Sequence, residues 1–170
     1  MRKISLVLLT LIIAVSACKK ETNAVECPYK DSAASAPQNE RDSIQRYLTA
    51  NGITNATQHP SGFYYILDSA GTGTEPTVCS YITVQYKGRY FSGAHLDSTA
   101  GTSVAKFTLG GTIEGWRKGL PLVKAGGGIT LYIPPTLGYG LTDYRDQLSN
   151  NIIVPANSYL KFKIAVFGVQ

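Results

Sequence analysis

From Gly62 to the C-terminus the chain is a succession of short apolar and aromatic runs cut by turn residues. That alternation limits its folding more than any other feature. The runs "GFYYILD", "SYITVQYKGRYF", "AKFTLG", "ITLYI" and "YLKFKIAVFGV" are rich in Tyr, Phe, Ile, Val and Thr, which suit a pleated, half-buried surface. Ile82, Val84 and Tyr86 share one face by period-2 spacing, as do Leu160, Phe162, Ile164 and Val166. Turns rich in Gly, Pro, Asn and Ser separate the runs. Among them only residues 113–122 read as a helix. Five strand runs and one short helix predict an α+β fold, an antiparallel β-sheet curled around a helix. No internal repeat is present.

The chain before Gly62 has a different character. "MRKISLVLLTLIIAVSAC" opens with Arg2 and Lys3, continues with an apolar run of 14 residues from Ile4 to Ala17, and ends in Cys18. The run is shorter than the ~20 residues of a membrane-spanning helix. A basic start, a short apolar run and small residues before a cut site describe a secretory signal over residues 1–17. "VSAC" also resembles the lipobox of bacterial lipoproteins, which implies removal of the signal and lipidation of Cys18. The alternatives are a plain signal cut near Ala17 or an uncleaved anchor. Residues 18–38 are polar, small and non-periodic, and are expected to form a flexible tether. Residues 39–74 hold a lead-in: a short amphipathic helix with Ile44, Tyr47 and Leu48 on one face, ended by Asn51-Gly52, and then a first strand. A helix this short is marginal in water, so its apolar face requires a surface to pack on.

Charge and cysteine usage exclude several functions. Loss of Arg2 and Lys3 with the signal lowers the formal charge from +5 to +3, too mild a balance for a nucleic-acid partner. Lys19 and Lys20 follow the anchor, where they meet lipid headgroups or solvent. Export places Cys27 and Cys79 in an oxidising compartment, where they can bond to each other, bond between chains or remain thiols. Two distant Cys with lone His59 and His95 offer no metal-ligand spacing. The chain has no G-x-S-x-G elbow, phosphate-binding glycine loop or HExxH. "GGG" at 126–128 fits a turn.

Trp116, the only Trp, lies in "IEGWRKGL" between Gly115 and Gly119. Each glycine weakens a helix by roughly 1 kcal/mol relative to Ala. The pattern makes sense if the backbone must approach its neighbours and the indole forms a surface. Tyr86, Phe107, Trp116, Tyr132, Tyr139 and Phe162 are the aromatics that could line a pocket, although strand aromatics mostly pack as core. For Phe107 and Tyr132 a core role suffices.

The segments "VQYKGRYFSGAHLDST", "FTLG", "IEGWRKGLPLVKAGG", "LYIPPTLGYG" and "VPANSYLKFKI", in that order, resemble the FKBP-type peptidyl-prolyl cis-trans isomerases over residues 75–170. "SIQRYLTANGI" and "SGFYYIL" resemble the lead-in of lipoprotein members from Gram-negative bacteria. The resemblance implies a twisted antiparallel half-barrel wrapped on one short α-helix. Trp116 matches the floor of the family's proline pocket, Tyr86 a wall tyrosine and Asp97 the acid at the pocket edge. Tyr139 matches the tyrosine whose hydroxyl bonds a substrate carbonyl, and Ile113 the residue whose backbone N–H binds another. Val154 matches an aliphatic wall and Phe162 an aromatic at the back. Leu96 stands where the family usually has Phe, and Ala105 where it usually has another aromatic. The link from "LG" to "IEGW" is two residues shorter than in many members, and "LTDYRDQLSNN" lengthens the loop after Tyr139.

The resemblance implies rotation about X–Pro bonds with neither cofactor nor metal. Its partners would be unfolded or proline-containing exported polypeptides, and a macrolide-type pocket ligand. The lipobox implies attachment to a bacterial membrane, the outer membrane of a Gram-negative cell, with the domain in the periplasm or at the surface. A binding module without fast isomerisation is the other reading of the same groove, favoured by Leu96 and Ala105.

Overall fold

The computed structural model describes residues 26–170, so the signal segment and Cys18 lie outside the described residues. In chain order the strands are β1 (Thr57–Gln58), β2 (Tyr64–Ser69), β3 (Tyr81–Tyr90), β4 (His95–Ser98), β5 (Ala105–Thr108), β6 (Gly128–Ile133), β7 (Tyr144–Arg145), β8 (Ile152–Val154) and β9 (Leu160–Val169). The helices are α1 (Gln38–Ala50) and α2 (Glu114–Gly119), the latter continued by a 3-10 turn over Leu120–Leu122. All five strand runs of the sequence form strands. The short strands β1, β4, β7 and β8 add to them.

The main sheet is antiparallel in the order β1-β2-β6-β9-β3-β4, with β5 also paired to β3, and β7 and β8 form a separate hairpin. Register shifts interrupt the β3–β9, β3–β4 and β2–β6 ladders. Such irregularities bend strands and increase their twist. The sheet therefore curls around α2 as an open half-barrel.

Period-2 alternation gives the sheet two different faces. On β6, Ile129, Leu131 and Ile133 join the cluster around α2, together with Ile82, Val84, Leu160, Phe162, Ile164 and Val166 from β3 and β9. Tyr132, on the opposite face of β6, joins Tyr64 of β2 and Ile44 and Leu48 of α1. The lead-in helix thus finds its packing surface on the outside of the sheet. Gly52, at a φ of 65°, follows its C-cap residue Asn51, and the Ile53 N–H bonds the Leu48 carbonyl at 2.9 Å.

On the inner face, α2 sits close because of its glycines. A Cβ on Gly115 would lie 2.6 Å from Ile133 Cδ1, and one on Gly119 2.7 Å from Leu131 Cδ2. Both gaps are below any real side-chain contact, so the helix rests on β6 through bare backbone.

Within the stretch read as a flexible tether, residues 26–37 have no regular secondary structure but lie against the domain. Cys27 is disulfide-bonded to Cys79 across 52 residues of sequence. Tyr29 covers Gly110 and Gly111. Arg117 and Lys118 donate to the carbonyls of Lys30 and Ser32. Ala36 is buried and donates its N–H to the Ser61 carbonyl at 2.8 Å. Small polar residues predict little order by themselves. Here a covalent link and side chains from α2 supply what their composition lacks. Among the described residues no helix is long and apolar enough to cross a membrane.

Candidate active site

Trp116 projects from α2 toward the inner face with only 5% of its surface exposed. Three rings meet its indole edge-on: Tyr86 from β3 at 5.3 Å, Phe162 from β9 at 5.3 Å and Phe107 from β5 at 5.9 Å between centroids. Perpendicular packing of this kind suits the quadrupoles of aromatic rings and holds the indole in one orientation. The indole N–H has no hydrogen-bond partner among the described residues.

Above this floor lies a cleft of about 480 Å³ lined by aromatic rings of the sheet, the Gly111–Ile113 segment before α2, Asp97, Gly138, Tyr139 and Tyr144. A cleft of that size takes a small apolar group with a few polar anchors at its edge. The Tyr86 hydroxyl donates a short hydrogen bond to Asp97 on β4. Burial, and then the hydrogen bond to Asp97, push the Tyr86 phenol far above its usual range. Tyr139 is also raised, first by burial and then by the nearby charge of Asp97. Both hydroxyls therefore stay protonated at neutral pH and remain able to donate. The Tyr144 ring stands 5.0 Å from that of Tyr139 and extends the wall outward. Ile113 is the N-cap of α2, with extended backbone (φ −65°, ψ 153°). Its carbonyl accepts from Trp116 N–H at 2.9 Å, while its own N–H precedes the helical ladder.

The cleft brings together Tyr86, Asp97, Ile113, Trp116, Tyr139 and Phe162 from the residues singled out in the sequence. Leu96 and Val154 are not among its lining residues. Leu96 is the extra residue where the β3–β4 register shifts between Asp97 and His95, and it packs against the inner core beside the cleft. Val154 is 1% exposed at the end of β8, where it pairs with Tyr144 of β7. Phe107, for which a core role sufficed, lines the cleft, as do Thr112 and Tyr144. Phe107 lies two residues beyond Ala105 on the same face of β5, a period-2 relation that could have flagged it. Nothing in the local pattern marks Thr112 or Tyr144. Among the described residues no group of His, Cys, Asp and Glu side chains could hold a metal ion.

A curled antiparallel sheet on one short helix, with a Trp at the floor of an aromatic cleft, defines the fold class and its candidate site. The profile of the FKBP-type peptidyl-prolyl cis-trans isomerase family matches residues 73–167, and the chain belongs to that family. It is 37% identical over 131 residues to the FKBP-type peptidyl-prolyl cis-trans isomerase FkpA of Buchnera aphidicola, covering 75% of this chain and 47% of that protein. It is 33% identical over 129 residues to the peptidyl-prolyl cis-trans isomerase Mip of Coxiella burnetii, covering 73% of this chain and 52% of that one. The chain thus spans about half the length of the curated relatives it matches. The crystal structure of FkpA from Escherichia coli superposes with a TM-score of 0.65 at 28% identity, over 78% of this chain and 60% of that one.

Proposed function

We propose that this chain is a peptidyl-prolyl cis-trans isomerase that assists the folding of exported polypeptides, held at a bacterial membrane by lipid on Cys18. The observation that carries the enzymatic part is the Trp116 indole, fixed by three perpendicular rings at the floor of an open cleft whose rim bears polar donors. The anchor reading rests on the signal-like residues 1–17 and "VSAC". A dually acylated cysteine anchors stably, where one chain binds marginally. The location that goes with this reading is the outer membrane of a Gram-negative cell, with the domain in the periplasm or at the cell surface.

An X–Pro bond resists rotation by ~18–20 kcal/mol because amide resonance gives it double-bond character. Its uncatalysed exchange takes tens to hundreds of seconds. The planar amide is more charge-separated than the twisted one. An apolar cleft therefore raises the ground state relative to the transition state. The proline ring lies on Trp116, between Tyr86, Phe107 and Phe162. The Ile113 N–H and the Tyr139 hydroxyl hold flanking carbonyls in the twisted geometry, an interaction that accelerates only if it is stronger there than in the planar form. Tyr86 directs its proton to Asp97, which keeps the carboxylate at the rim. No bond is made or broken, and no proton leaves a side chain. A macrolide-type ligand would fill the same cleft.

A refolding assay limited by proline isomerisation tests the activity. A catalyst accelerates the slow phase at substoichiometric dose. Binding of the unfolded chain with no acceleration would instead leave a binding module. For the anchor, acyl incorporation is expected in the full-length protein and not in Cys18→Ala; a processed, membrane-partitioned Cys18→Ala protein would overturn it.

A further inference from the structure

Glu40, in the first turn of α1, is 4% exposed, and its carboxylate reaches a turn 96 residues away in sequence. One oxygen accepts the Thr136 N–H at 3.1 Å and the other the Thr136 hydroxyl at 2.7 Å. Both oxygens of a buried carboxylate are thus committed to one residue. Thr136 lies in the 3-10 turn Pro135–Leu137, just before Tyr139.

The peptide group involved is the important detail. The Thr136 N–H belongs to the same peptide unit as the Pro135 carbonyl. That carbonyl accepts from Gly138 N–H at 3.0 Å and Gly140 N–H at 2.9 Å, the residues on either side of Tyr139. Glu40 therefore grips one edge of a peptide plane whose other edge brackets the tyrosine of the cleft. A charge-assisted bond on the N–H also polarises the carbonyl and strengthens the two bonds it accepts. Glu40 is the acceptor that satisfies the Thr136 N–H.

We propose that Glu40 is a positioning residue for the cleft, acting through the Pro135–Thr136 peptide to set the place of the Tyr139 hydroxyl. The lead-in helix, outside the segment matched by the family profile, is then part of the site. The helix is held by other means. Ile44 and Leu48 are buried against the outer face of the sheet, and Arg41 donates to the Ala36 carbonyl at 2.8 Å. Loss of the Glu40 carboxylate leaves α1 docked and releases the turn.

The proposal rests on the isomerase reading, and its test separates the two. Glu40→Gln keeps the shape of the side chain but presents a donor where one of two acceptors stood. In isomerisation of a proline peptide it should lower kcat/KM by about tenfold, short of the ~100-fold that misplacement by an ångström can cost. In the Tyr139→Phe background the same change should cost almost nothing further. Thr136→Ser, which retains both contacts, should behave as the parent. The amide NMR signals of Gly138 and Gly140 in the unliganded protein should move in Glu40→Gln and hold in Thr136→Ser. An equal loss in both backgrounds would mean general destabilisation and overturn the proposal, as would unmoved glycine amides. A protein inactive in every form, with those amides still displaced by Glu40→Gln, would refute the isomerase reading and leave the positioning role standing.

Discussion

The two faces of the sheet carry similar aromatic groups and put them to opposite uses. On the inner face Trp116, Tyr86, Phe107 and Phe162 pack edge to face and stop short of filling the space, which leaves the cleft. On the outer face Tyr132 is 1% exposed, with Phe91 at 6.3 Å and Tyr47 at 6.2 Å around it and Tyr47 stacked on Phe91 at 3.8 Å. There α1 closes the space. The inner helix is short and rests on β6 by two glycines, and its one aromatic side chain, Trp116, faces the cleft. The outer helix is longer and lays Ile44 and Leu48 over the strands. Aromatic content therefore does not distinguish a pocket from a core; the helix that covers it does.

The largest effects should come from the centre of each face. Trp116→Ala and Tyr132→Ala should each cost about 3–5 kcal/mol in urea unfolding. The milder Trp116→Leu and Tyr132→Leu should stay folded, and only the first should weaken binding of a proline peptide. A folded Tyr132→Leu protein with impaired binding would break the contrast between the faces. Opening the Cys27–Cys79 bond with Cys27→Ser should cost about 4 kcal/mol for a 52-residue loop on the chain-entropy account. Because Tyr29 covers the Gly110–Gly111 rim, the loss should reach the inner face: peptide affinity should fall along with the unfolding midpoint, while Tyr132→Leu leaves affinity alone.

Gly115→Ala is a finer probe. Its methyl would meet three carbons of Ile133 at 2.6 to 2.8 Å, and overpacking of that kind costs about 1–3 kcal/mol. That exceeds the ~1 kcal/mol that Ala gains over Gly in helix propensity, so the protein should be destabilised, with a shifted Trp116 emission.

Titration should affect both faces alike. Burial raises the phenols of Tyr86 and Tyr139 on one side and of Tyr64 and Tyr132 on the other. Above the ordinary tyrosine value near 10 the unfolded chain loses protons that the folded chain retains, so the unfolded state gains and stability falls as pH rises. Below that value the tyrosine contribution is fully present. Unfolding midpoints should thus be insensitive to these groups at neutral pH and drop above about pH 10, less steeply in Tyr86→Phe. The smallest effect belongs to Lys161, whose ammonium lies 5.6 Å from the centre of the Tyr132 ring. Lys161→Met should cost no more than about 1 kcal/mol and leave peptide affinity unchanged.

Much of this was legible in the residues. The five strand runs, among them the four-residue β5 inside "AKFTLG", the α2 stretch, the Asn51-Gly52 stop and the aromatic floor at Trp116 follow from period, turn chemistry and motif order. The short strands β1, β4, β7 and β8 were not legible, because two to four residues carry too little periodicity to stand out from a loop. Leu96 and Val154 appear in the right motifs but outside the lining, because Leu96 falls at a bulge and Val154 is buried at a strand end. Phe107 went the other way.

By itself, the sequence determined which residues share a face of each strand, which stretches hold the two helices, and that a Trp framed by glycines would lie close to its neighbours. Those are consequences of local geometry, set within a few residues of chain. Only the tertiary structure decided that Cys27 meets Cys79, that Glu40 holds the turn before Tyr139, and that one aromatic cluster stays open while the other is closed by α1. The first two bring together residues 52 and 96 positions apart, and the third joins separate strands and helices. No local preference encodes such a contact; it appears when the sheet curls and each helix takes its own side.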